Sequence, residues 1–114
     1  MPISKGDIVL VPFPFTNLLS AKVRPSLVIS VNNDIDVTVM FISSIVPEHI
    51  PEQELLLEQT HPDFLFTGLK KTSVFKTGKI LTLERTKILR RLGKVSPSLQ
   101  KEIDLKLKLA FGLE

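Results

Sequence analysis

The chain has no cysteine, which excludes a disulfide framework, a thiolate-held zinc or iron–sulfur site and a cysteine nucleophile. Tryptophan and tyrosine are also missing, so seven phenylalanines are the only aromatic rings other than histidine. No apolar run approaches the roughly 20 residues that a membrane-spanning helix needs. The opening Met1-Pro2-Ile3-Ser4-Lys5 lacks the basic-then-apolar build of a secretory signal, so a cytoplasmic protein with no membrane partner is expected. The five glycines form no phosphate-cradling loop, and neither a His-Glu-x-x-His helix nor a nucleophile elbow is present. The two histidines are His49, beside a proline-rich loop, and His61, directly before Pro62, so a metal site or a histidine-pair nuclease would have to be assembled from loops. The acids of residues 48–58 are irregularly spaced and read as solvated surface rather than a magnesium site.

What is present fits one folded domain over residues 1–114, with 43% hydrophobic and 24% charged residues, enough to bury a core. The net charge of +3 is modest, but its distribution is uneven. No Lys or Arg occurs between Arg24 and Lys70, whereas Asp34, Asp36, Glu48, Glu52, Glu54, Glu58 and Asp63 all do. From Lys70 to Lys94 nine bases face Glu84 alone. Gathered on one face, these bases would attract phosphate in a salt-sensitive way; scattered, they would only be solvated lysines and arginines.

Residues 7–13, Asp-Ile-Val-Leu-Val-Pro-Phe, read as a buried strand closed by prolines. A loop over 16–23 follows, with Leu18 and Leu19 unusually apolar for an exposed connection. Arg24-Pro25 opens a second strand to Val31, Asn32-Asn33-Asp34 is a turn, and 37–45 is a third strand. The connections are too short for crossover helices, so an antiparallel, mainly β sheet is expected. Leu55-Leu56-Leu57 is a short strand candidate, and residues 72–75 and 79–85 are β-prone with a bend at Thr77-Gly78. Ser96-Pro97 starts a helix running to about Leu113. Its buried face would be Leu99, Ile103, Leu107, Ala110 and Phe111, with Glu102–Lys106 and Asp104–Lys108 as supporting pairs. Leu105, Leu109 and Leu113 form a flanking row suited to a second contact such as a subunit interface.

The segment Gly6-Asp7-Ile8-Val9-Leu10-Val11-Pro12-Phe13, followed by Arg24-Pro25-Ser26-Leu27-Val28-Ile29-Ser30, resembles the PemK/MazF family of toxins from bacterial toxin–antitoxin pairs. The likeness continues through Phe41-Ile42-Ser43-Ser44-Ile45, Lys71-Thr72-Ser73-Val74 and Leu83-Glu84-Arg85, and is least distinctive over 47–68. It implies an α+β fold, a small SH3-like β-barrel of the MazF/CcdB type with a carboxy-terminal helix, working as a homodimeric endoribonuclease that cuts single-stranded RNA without metal or cofactor. Arg24 matches the family's catalytic arginine, and Ser43 its strand-three hydroxyl, with Ser44 as the off-by-one alternative. Because strand residues alternate between faces, only one of the two serines can share a face with Arg24.

In metal-free RNA cleavage the ribose 2′-hydroxyl attacks the adjacent phosphate, and charge builds on the phosphoryl oxygens. A fixed guanidinium meets that charge with two parallel hydrogen bonds, and a serine hydroxyl adds a further donor. A guanidinium stays protonated at neutral pH, so Arg24 is assigned electrostatic stabilisation rather than proton abstraction. The plainer alternative is a surface arginine paired with Asp7. Lys70, Lys71, Lys76 and Lys79 are the expected RNA contacts, and Leu18 and Leu19 the expected contact for a cognate antitoxin whose acidic, apolar tail covers the groove. The loop before Arg24 departs from the family in lacking glycine. Two rivals remain open: a barrel toxin that poisons DNA gyrase, for which Phe111-Gly112-Leu113-Glu114 is a poor match, and a catalytically silent nucleic-acid-binding barrel.

Overall fold

The computed structural model describes residues 2–13 and 22–113. Six strands, β1 (Asp7–Phe13), β2 (Lys22–Val31), β3 (Asp36–Ser43), β4 (Leu55–Leu57), β5 (Ser73–Glu84) and β6 (Arg90–Lys94), precede one helix, α1 (Pro97–Ala110). They form a single curled antiparallel sheet in the order β4-β5-β3-β2-β1-β6. The expected barrel-type sheet with a terminal helix is therefore what forms. The strand at 90–94 was not anticipated from the sequence.

Alternation along the strands builds a hydrophobic cluster on each face. On one side Ile8, Leu27, Met40, Ile42 and Phe75 pack with Leu57, Phe64 and Val95 and with Leu99 and Ile103 of α1. On the other, Val9, Val11, Phe13, Val28, Val37, Val39 and Phe41 pack with Ile3 and Ile88. Sheet residues covered on both faces explain why β1 reads as an unbroken apolar run rather than an alternating one. Each fully buried side chain of this size contributes about 1.5–3 kcal/mol relative to exposure.

The helix begins as its sequence predicts. Ser96 accepts a hydrogen bond from the Leu99 N–H at 3.2 Å, Pro97 occupies the first turn, and the Ser96 hydroxyl donates to the Asp63 carboxylate at 2.6 Å. Other helix details differ. It ends at Ala110, so Phe111 lies beyond it and is exposed. The expected pairs within the helix are replaced by contacts to other segments: Asp104 meets Lys5 at 3.5 Å, and Lys106 donates to the Glu52 carbonyl at 2.6 Å. An exposed ion pair within a helix contributes little, so exchanging it for another surface contact costs the helix little. Leu105, Leu109 and Leu113 are exposed, as the flanking row requires.

The bend expected at Thr77-Gly78 is a bulge inside β5, which is otherwise continuous. Ile42 pairs with Phe75 and Met40 with Ile80, so residues 76–79 lie opposite Phe41 alone. That excess of backbone sets the position of Lys79.

Candidate functional site

Arg24 lies near the start of β2 and pairs with Val11 of β1, whose side chain belongs to the same cluster as Phe41. The β2–β3 register pairs Ser26 with Phe41. The ladder ends at that pair; by alternation Arg24 and Ser43, each two residues beyond it, fall on the face that carries Val11 and Phe41. Ser44 lies past the strand end and is exposed. Of the two serine candidates, Ser43 is thus the one whose strand position shares a face with Arg24.

The two side chains differ in how firmly they are held. Arg24 is partly exposed, and its Nη1 donates to the neighbouring Val23 carbonyl at 3.4 Å, a long bond that leaves the guanidinium fork available. Its suggested partner Asp7 is engaged elsewhere: that carboxylate accepts from the Ser4 N–H at 2.9 Å and lies 3.9 Å from Arg91 Nη1. The alternative of an Arg24–Asp7 pair is therefore corrected. Ser43 is nearly buried, its Oγ accepting from the Ile45 N–H at 3.1 Å and lying 3.5 Å from the Ile45 carbonyl. The accepted bond fixes the oxygen while the hydroxyl proton is only loosely committed.

Beside this pair Phe13 and Phe41 stack at a tilt with centroids 5.4 Å apart, and Lys79 Nζ stands 6.0 Å from the Phe41 ring centre. Both rings are buried, so they support the floor and do not offer free faces to bases. Below Arg24 on the same face, the Ser26 hydroxyl is buried with no hydrogen-bond partner among the described residues. The sequence reading passed over Ser26 and also Lys22, which pairs with Phe13 and is exposed. The available signal was the two-residue alternation Lys22-x-Arg24-x-Ser26.

The four lysines named from the sequence are divided. Lys79 stands over the Phe41 side of the face, and Lys70 and Lys71 are exposed in the segment leading into β5. Lys76 instead meets Glu54 at 3.2 Å in a largely covered ion pair. Nor do the bases of 70–94 make one row. Those of β5 and those of β6 are separated along the sheet by β3, β2 and β1. Leu18 and Leu19 lie outside the described residues. His61 Nδ1 accepts from the Asp63 N–H at 3.0 Å and so serves its own turn, and no three His, Asp or Glu among the described residues form a group able to hold a metal ion. No helix is long and apolar enough to cross a membrane among those residues.

An antiparallel curled sheet with a carboxy-terminal helix is a small barrel-type fold. Residues 4–111 match the model of the PemK-like, MazF-like toxins of type II toxin–antitoxin systems, and the chain belongs to that family. Among solved structures it is similar to the Mycobacterium tuberculosis toxin MazF-mt6, with a TM-score of 0.72 at 19% identity over 95% of this chain and 98% of that one. It is also similar to an endoribonuclease from a mycobacterial species in complex with its cognate antitoxin, with a TM-score of 0.71 at 20% identity over 100% and 98% of the two chains. MazF from Deinococcus radiodurans superposes with a TM-score of 0.68 at 18% identity, over 98% and 97%. No curated protein sequence is similar enough to count as a match.

Proposed function

We propose that this toxin is an endoribonuclease that cleaves single-stranded RNA at a site formed by Arg24 and Ser43. One observation carries the assignment: alternation along β2 and β3 puts the two residues on a common face of adjacent strands, and among the described residues the guanidinium makes only a long hydrogen bond. In the proposed reaction the 2′-oxygen forms a bond to phosphorus as the bond to the 5′-oxygen breaks. The products are a cyclic phosphate and a 5′-hydroxyl, and the proton released from the 2′-hydroxyl reaches the leaving oxygen through water. Arg24 meets the charge on the phosphoryl oxygens, Ser43 donates a hydrogen bond to one of them through its loosely committed hydroxyl, and Lys79 adds positive charge at the edge. No step is assigned to a metal.

Family membership and the antitoxin complex of a similar chain support the rest of the proposal: a homodimer working in the cytoplasm and silenced by a cognate antitoxin. The assay is incubation of the purified protein with labelled single-stranded RNA in excess chelator. Cleavage is expected, and Arg24→Ala should slow it by roughly 100- to 1000-fold with the fold intact. Retention of uncut RNA would favour the silent barrel, and intact RNA with gyrase inhibition the gyrase poison. An Arg24→Ala protein that cleaves at the normal rate would remove the proposed site.

A further inference from the structure

We infer that Lys22 forms a second phosphate subsite beside Arg24, holding the RNA phosphate next to the one that is cleaved; the inference rests on Arg24 marking the RNA site. Lys22 is the first residue of β2 and pairs with Phe13, one alternation outward from the Arg24–Val11 pair. Residues two apart on a strand share a face and stand about 7 Å apart along it. That spacing is close to the separation of neighbouring phosphates in an extended single strand.

Lys22 is exposed, and no ion pair joins its ammonium to another described residue. The contrast with Lys76, held against Glu54, is direct: one lysine is neutralised within the fold, the other is presented from it. A lysine is a compact point charge on a flexible stem, suited to hold a phosphate without dictating its orientation. An arginine two residues inward then supplies the directional fork at the reacting phosphate. The division of labour follows from the chemistry of the two cations. Lys22 touches a phosphate whose charge does not change during the reaction, so it stabilises bound substrate and transition state alike.

The test combines cleavage kinetics with binding of a 2′-O-methyl RNA oligonucleotide, which lacks the attacking hydroxyl and stays intact. For Lys22→Ala the expected result is a raised KM with kcat unchanged and recovery in Lys22→Arg. The slope of log affinity against log salt for the oligonucleotide should shrink by about 0.7, the share of one phosphate on a single strand. A fourfold drop in salt should then tighten wild-type binding roughly 2.5-fold more than binding by the variant. Thermal unfolding checks that the exposed substitution leaves the fold intact. Wild-type KM and salt slope in Lys22→Ala, alongside loss of cleavage in Arg24→Ala, would overturn the subsite and leave the Arg24 site standing. A fall in kcat at unchanged KM would also overturn it, by placing Lys22 at the reacting phosphate. Normal cleavage by Arg24→Ala would overturn the site on which the subsite depends.

Discussion

Ser26 is fully buried on the face below Arg24, and its hydroxyl has no partner among the described residues. Leaving a buried hydroxyl unpaired costs about 1–3 kcal/mol, and removing it restores part of that cost. Ser26→Ala is therefore expected to be neutral or to stabilise the fold by up to about 1 kcal/mol, as read by urea unfolding; a loss of 2 kcal/mol or more would show that the hydroxyl is bonded. The serines of β3 separate in the same way. Ser43→Ala should slow cleavage roughly 10- to 100-fold, the effect of losing a hydrogen bond to a charged group, whereas Ser44→Ala should leave it unchanged. Equal effects of the two substitutions would contradict the alternation that sets Ser43 beside Arg24. Arg24→Lys should not rescue Arg24→Ala, since a point charge cannot replace two parallel donors.

At the scale of elements, β6 was not legible because Arg90-Arg91-Leu92-Gly93-Lys94 has neither alternating nor continuous apolar character. What makes it a strand is its neighbours. It pairs with β1 from Asp7–Lys94 to Leu10–Arg90, and on its other side the 3-10 turn Phe64–Thr67 lies against it backbone to backbone. A Cβ on Gly93 would come within 2.3 Å of the Phe66 carbonyl oxygen, so only glycine permits this approach. Gly93→Ala should destabilise the protein by about 1–3 kcal/mol or more, since the obstacle is backbone and cannot rotate away. Chemical denaturation measures it, and wild-type stability would mean that the turn does not dock there. The start of α1, by contrast, was readable from Ser96-Pro97 because a cap is a local device. Ser96→Ala should cost about 1 kcal/mol, with the loss of the Asp63 contact adding to that of the cap.

For the whole molecule, the first strand closes against the last, and the sheet order runs through pairings of high sequence separation. Closing such loops must precede the contacts that reward them, so folding is expected on the millisecond-to-second scale rather than in microseconds. Stopped-flow refolding measures this, and microsecond folding would imply that local contacts dominate. The same topology decides where charge goes. Of the nine bases crowded into residues 70–94, Lys76 and Lys79 lie on β5 and Arg90, Arg91 and Lys94 on β6, strands that are not neighbours in the sheet, so density of charge along the chain does not become one row.

Local chemistry determined much of this protein from the sequence alone. The absence of cysteine confined any catalysis to hydroxyl, amine, guanidinium, carboxylate and imidazole groups, β-branched runs marked the central strands, and a serine–proline pair marked the helix. Arg24-Pro25 and Phe41-Ile42-Ser43 carried a recognisable pattern because their spacing is short-range. Only the tertiary structure decided that Lys76 belongs to Glu54 and Asp7 to Arg91, that Lys79 reaches over Phe41 from a bulge, and that β6 is a strand. Each of those outcomes depends on a partner distant in the chain. Register and charge pairing are set by which strands become neighbours, and that is a property of the closed sheet rather than of any segment within it.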